Sequence, residues 1–522
     1  MTDRELATTP DSRRAALVVV CGVLALTFLD TTVVAVALGS IQTSLHMGVT
    51  GLQWVVDAYA VAFASLMLTG GTLGDRYGRR RLMLLGVGVF SAASLLGAVA
   101  TSASMLIAAR ALMGVGAAAS EPGTLSVLRH VFPDHRGRAR ALSLWAAVSC
   151  LGLALGPLIG GVLISLWDWR GIFWLNVAVG LVLLVTAHRY VPESKDPAVA
   201  PVDLPGQLLA VAAIATVVVG LIEGERSGYA AGHIVVLFAI GAVCAAGFVW
   251  RELATSAPML DLRYFRRRRF RAALAVAFAA YFGTFSIFFF SALYLEEVVH
   301  YSGYRTAALF LPMTVLMVSG AIIGGRLVVR RHGRWTMGLG AMLAAAGIAT
   351  SEPLLNMHPS FTGLMGTLAL TGLGMGMAMV PVTSLVLEVV PPEHSGMAAS
   401  ATNTARQLGV VFGVAILGAL VNAHLTTDLK HRLDVLGIPR IFQNYIIHAY
   451  EHGAAPDKST VVGNVFATIV DKIKIAAYAA FHDGLAAALV ISAILIAAAA
   501  LYAGYAAARS PSNDSGSSVS GP

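Results

Sequence analysis

The ionisable side chains Asp30, Asp57 and Arg110 fall inside long apolar runs of the chain. An ionisable group within a bilayer-spanning helix costs roughly 2.5–3.5 kcal/mol on insertion scales, so its presence points to a use. Asp30 lies eight residues before Leu38, the outer end of its run, which at 1.5 Å per residue is about 12 Å of depth. Arg110 is about 10 Å deep by the same rise, and Asp57 is somewhat shallower. Loss of water disfavours a charged carboxyl while a nearby guanidinium favours it, so a movement that alters either influence binds or releases a proton. Asp30 is therefore read as a proton carrier and Arg110 as the partner that tunes it. The plainer alternative is a fixed Asp30–Arg110 pair that never titrates. Asp57 and Glu121 are candidate second acidic sites. For Glu121, nearer the other end of Arg110's run, the preferred reading is a carboxylate that reaches along its own stem to the membrane surface. Glu388, Glu296, Glu297, Glu223, Glu225, His482 and Asp483 fall near predicted helix ends and are read as solvated caps or rims.

The elements that hold these groups follow from composition. Of 522 residues, 57% are hydrophobic and only 12% charged, with a mean hydropathy of +0.75. Soluble domains carry roughly 25% charged residues, so lipid must be the solvent for much of this surface. Apolar runs long enough to span lie at about 16–38, 53–73, 82–102, 105–128, 141–164, 171–191, 206–222, 232–250, 272–294, 305–328, 335–355, 361–388, 398–422 and 477–506. The first has basic residues ahead of it but no small-residue cleavage site, so it reads as a retained span.

The net charge of +8 does not imply a nucleic-acid partner, because Lys and Arg sit in short clusters between the runs. With the N-terminus inside, 25 of them fall on the cytoplasmic side and three (Arg170, Arg226, Arg305) in the opposite short loops. That asymmetry places both termini in the cytoplasm. Cys21, Cys150 and Cys244 all lie in apolar runs without metal-ligand spacing, which favours packing. The segment 423–476 is long and mixed in charge, and reads as one or two amphipathic helices on the outer membrane surface or capping the protein. Residues 507–522 read as a disordered cytoplasmic tail.

Two related basic turns recur, Gly71-Thr-Leu-Gly-Asp75-Arg76-Tyr-Gly78-Arg79-Arg80-Arg81 and Gly325 to Arg334, each after the second span of a six-span set. The expected organisation is a cytoplasmic N-terminus at 1–15, a six-helix bundle at 16–191, an inserted helix pair at 206–250, and a second bundle at 272–506 that contains the 423–476 loop. Two similar halves around a central site is the plan of many secondary transporters.

On these residues the chain resembles the major facilitator superfamily, and within it the fourteen-helix drug:proton antiporters. The Gly71–Arg81 turn resembles the superfamily signature. Gly152-Leu-Ala-Leu-Gly156-Pro157-Leu-Ile-Gly160-Gly161 resembles the antiporter motif of drug exporters. Leu29-Asp30-Thr31-Thr32 resembles the subfamily's first-helix motif, with Ala35 and Gly39 where Asn and Pro are usual. Arg110-Ala-Leu-Met-Gly114-Val-Gly116 resembles the buried-arginine motif, and Gln53-Trp54-Val-Val-Asp57-Ala-Tyr59 and Arg406-Gln407-Leu-Gly409 also match subfamily patterns. The resemblance implies an all-α membrane fold with two six-helix bundles plus an inserted pair. It also implies a conformational latch formed by Gly71, Asp75, Arg76, Gly78 and Arg79, with Asp75 facing the start of the thirteenth helix. Glu121 departs from the pattern, which has an apolar residue there.

Candidate substrate contacts are Tyr59, Tyr281, Phe285, Tyr294 and Met377, because aromatic faces bind organic cations and Met makes adaptable surfaces, with Asn403 and Gln407 adding hydrogen bonds. An apolar bundle core would use the same residues. The chain has no Walker phosphate loop, no metal-ligand cluster and no nucleophile–base arrangement, so no cofactor, metal or catalytic role is expected. The expected function is proton-driven export of lipophilic or cationic small molecules by a monomer in the cell membrane, with protons and lipid as its other partners. Dedicated export of an endogenous metabolite or lipid is the alternative, and a non-transporting sensor or assembly factor a remote one.

Overall fold

A computed structural model describes residues 10–194, 203–255, 258–329, 333–356, 359–391, 395–440, 442–443, 446 and 464–508. Fourteen long α-helices make up almost all of the described chain. The first six are α1 (Pro10–Leu45), α2 (Val49–Tyr77), α3 (Arg79–Ala98), α4 (Ala103–Val131), α5 (His135–Leu166) and α6 (Arg170–Tyr190). The pair α7 (Leu204–Ser227) and α8 (Gly232–Ala254) follows. The last six are α9 (Arg268–Glu297), α10 (Gly303–Val329), α11 (Gly333–Ser351), α12 (Phe361–Val389), α13 (Ser395–Val435) and α14 (Asn464–Ala508). Eleven contain a stretch long and apolar enough to cross a bilayer, and the bent α2 makes a twelfth; α5 and α11 pack into the same bundle.

The same pairings occur in both six-helix sets. In the first lobe α2 and α3 pack on α4, α1 on α5, and α3 on α6; in the second, α10 and α11 pack on α12, α9 on α13, and α11 on α14. The repeat hinted at by the two basic turns is thus a repeat of packing. Two equivalent seams join the lobes, α5 against α10 and α2 against α13, with α1 meeting α9 between them. The inserted α7 lies along the α2–α13 seam, where Gln207 donates to the Ser65 carbonyl (2.5 Å) and bonds Thr69.

Small residues make the close approaches inside the lobes. A Cβ at Gly156 would collide with the Thr32 hydroxyl, and one at Gly160 would come within 3.1 Å of the Val33 carbonyl. The Gly-rich face of α5 is therefore the bed of α1, the helix that carries Asp30. Met377 plays a comparable part, its backbone filling the space left by Gly320 and Gly324 of α10.

The described edges of the segment 423–476 are direct continuations of α13 and α14. Forty-one residues of α13 extend about 60 Å, twice a hydrocarbon core of about 30 Å. Beyond the bundle Leu425, Leu429 and Leu433 pack on Ile473, Ala476 and Ala480, and Arg432 pairs with Asp483 at 2.8 Å. The intervening 447–463 and the tail from 509 lie outside the described residues.

Candidate functional site

Asp30, Arg110 and Asn176 meet in the interior of the first lobe. Arg110 Nη1 donates to Asp30 Oδ2 at 2.5 Å, and Asn176 Nδ2 donates to Asp30 Oδ1 at 2.6 Å. The guanidinium also donates from Nε to the Val55 carbonyl (2.9 Å) and lies 4.4 Å over the Tyr59 ring, whose hydroxyl donates to the Thr27 carbonyl. Exposure is 0% for Asp30 and Asn176 and 1% for Arg110. Local sequence explains the placement. Gly114, against which the Tyr59 carbonyl lies, lets α4 approach α2 closely, and Gly116 does the same against α3. Arg110 thereby reaches across α2 to α1. All the partners belong to α1, α2, α4 and α6, so the centre lies within one lobe.

Asp57 does not join them. It is fully buried, and neither carboxylate oxygen has a hydrogen-bond partner among the described residues. The α2 contribution to the Asp30 centre is instead the Val55 carbonyl and the Tyr59 ring. Tyr59, a candidate substrate contact, is thus committed to Arg110. Asn176 was not singled out by its sequence context, although a lone amide in the middle of an apolar run was its signal.

A second buried centre lies toward the end of the bundle that carries the basic Gly78–Arg81 turn. Glu121 is 1% exposed, which corrects the expectation that it reaches the membrane surface. Its Oε1 accepts from Asn403 Nδ2 of α13 at 3.1 Å, a bond from one lobe to the other. Arg406 Nη1 donates to Asn403 Oδ1 (3.0 Å) and Nη2 to Thr383 Oγ1 (2.8 Å), with the guanidinium 5.7 Å from the Tyr281 ring centroid. Glu121 Oε2 has no partner among the described residues. Beside Glu121, Pro122 cannot donate to the Ala118 carbonyl, and Gly70 of α2 provides the room for that carbonyl.

Tyr281 and Arg406 line a small cavity of ≈ 10 Å³ with Met375 and Met379, its described lining entirely within the second lobe. Of the other candidate contacts, Tyr294 stacks on Phe481, with ring centroids 5.8 Å apart, and Gln407 is buried. The side chains of Phe285 and Pro157 lie outside the described residues. Gly152 and Gly161 are buried with the rest of the α5 glycine face.

The basic turn is built around Gly78, whose φ of +119° favours glycine. The Glu193 carboxylate accepts from the backbone N–H groups of Arg80 (3.1 Å) and Arg81 (3.3 Å), an anion at the N-terminus of α3. Among the described residues Asp75 pairs with Arg79, at 2.8 Å. Contact with α13 comes one turn earlier, at Gly71, where a Cβ would lie 2.8 Å from Ser400 Oγ. Arg76 is exposed.

A sequence profile of the Major Facilitator Superfamily matches residues 20–414, which take in both polar centres. The chain belongs to that superfamily. Its relatives include multidrug resistance protein Stp of Mycobacterium tuberculosis, 33% identical over 420 residues that cover 80% of this chain and 78% of Stp. Multidrug efflux pump LfrA of Mycolicibacterium smegmatis is 32% identical over 505 residues, 96% of this chain and 97% of LfrA. The methylenomycin A resistance protein of Bacillus subtilis is 33% identical, covering 77% of this chain and 87% of its own. Among solved structures, a bacterial homolog of the human lysosomal transporter Spinster, inward-facing and unoccupied, superposes with a TM-score of 0.65 at 17% identity, over 96% of this chain and 98% of that one. That likeness concerns the fold. As a Major Facilitator protein the chain is an integral membrane protein, and its two centres occupy different mechanical positions: one inside a lobe, one across a seam.

Proposed function

We propose that this protein is a proton-coupled exporter of lipophilic or cationic small molecules, antibiotics and dyes among them. It acts as a monomer in the cell membrane with both termini in the cytoplasm. The Asp30 centre carries the reading. A carboxylate at 0% exposure, held by one guanidinium and one amide inside a single lobe, is a proton site whose affinity depends on small shifts of its two partners. Relatives named as multidrug efflux pumps and resistance proteins support export. The Gly-rich bed of α1 on α5 supports it too, since it ties Asp30 to a helix that also forms the α5–α10 seam.

The reading is tested by ethidium efflux from cells that express the chain, with and without a protonophore, beside Asp30→Asn. Efflux abolished by the protonophore and slowed at least tenfold by Asp30→Asn is the expected result. Undiminished efflux in Asp30→Asn removes that residue from coupling.

A further inference from the structure

We infer that Glu121 is the specificity-determining group that takes the positive charge of the substrate, a lipophilic organic cation, and that Asn403 withholds it until the lobes part. The inference rests on the export reading and adds to it a residue and a charge class.

Three observations lead there. First, the Asp30 centre makes no use of Glu121. The two acids belong to separate clusters, and Arg110 and Glu121 lie eleven residues apart on α4, about 16 Å along its axis. Second, among the described residues the side-chain bond to the Glu121 carboxylate comes from the opposite lobe, while its Oε2 is buried and unpartnered. Third, the cation beside it belongs wholly to the other lobe. Arg406 bonds Asn403 of its own helix and Thr383 of α12.

Alternating access moves one lobe against the other as largely rigid bodies. When the α2–α13 seam opens at this end, Arg406 keeps both its partners and Glu121 loses Asn403. The first lobe then presents an unpaired carboxylate to the opened space. Burying such a group ionised and without a partner is strongly unfavourable, so closure over it requires either a proton on the carboxyl or a ligand that brings a positive charge. The wall opposite suits the rest of such a ligand: Tyr281, Met375 and Met379 offer an aromatic face and adaptable thioethers. With the lobes together, the cavity has a volume of ≈ 10 Å³, room for about one water and far below the about 300 Å³ of the smallest drug sites. The full site therefore forms only when Asn403 withdraws.

The experiment is equilibrium binding of tetraphenylphosphonium to the purified full chain in lipid nanodiscs, with the uncharged dye Nile red as a second probe. Glu121→Gln should weaken tetraphenylphosphonium binding at least tenfold and leave Nile red binding within about twofold. Asn403→Ala, which keeps the carboxylate and removes its competitor, should bind the cation about threefold more tightly. Unaltered cation binding in Glu121→Gln, or no binding by the unsubstituted protein, overturns the inference. If Glu121→Gln loses both probes through misfolding, Asn403→Ala decides, and unchanged or weaker binding there overturns it. Protonophore-insensitive efflux would instead remove the proton coupling of the export reading and leave the binding results standing.

Discussion

The two buried polar centres differ in one respect that separates their roles. Asp30 has both oxygens bonded, all its partners lie on helices of one lobe, and rocking of the lobes leaves it whole. Glu121 has one oxygen bonded, its partner lies on the other lobe, and the same motion breaks it. A centre that survives the cycle can carry a proton through it. One that is dismantled each time can sense whether the lobes are together.

The largest expected effect breaks the first centre. Arg110→Ala leaves a buried carboxylate with only the Asn176 amide and should cost about 3–5 kcal/mol of stability. Thermal unfolding in detergent measures it, and the double variant Asp30→Asn/Arg110→Ala should recover part of the loss. A double variant no more stable than Arg110→Ala alone would mean the pair is not the source. Next, Gly156→Val forces a side chain into Thr32 and the Val33 backbone, at about 1–3 kcal/mol. Because α1 moves with it, ethidium efflux should slow at least tenfold although no polar partner is removed.

Asn403→Ala touches only the second centre and should cost about 1–2 kcal/mol as its buried partners lose a bond. Its distinguishing readout is access. A cysteine introduced at Ser400 should react faster with a water-soluble maleimide than in the Asn403 parent, whereas Arg110→Ala should not raise that rate. Equal rates would erase the contrast between the centres. The smallest effect lies outside both. Glu193→Gln removes the charge at the N-terminus of α3 and should lower stability by about 0.3–1 kcal/mol with efflux unaltered.

Much of the Asp30 centre was legible in the chain because an acid and a base inside apolar runs are costly, and equal depth suggests a meeting. Asn176 escaped notice because an amide is a weaker anomaly than a charge. Glu121 was misread for a different reason. Distance from a helix end is visible in sequence, but whether a neighbouring helix covers that face is not. For the segment 423–476 the charges suggested surface or capping helices, and Leu425, Leu429 and Leu433 recur every four residues, a spacing that lets the extended α13 pack along a partner helix.

The sequence by itself determined the membrane class, the run of spans, the two-lobe plan and the costly residues within it, because hydropathy and charge are properties of short stretches. Tertiary structure alone decided which lobe each buried group answers to. Partnership across a seam depends on residues hundreds of positions apart, Glu121 and Asn403 among them, and no local pattern records it.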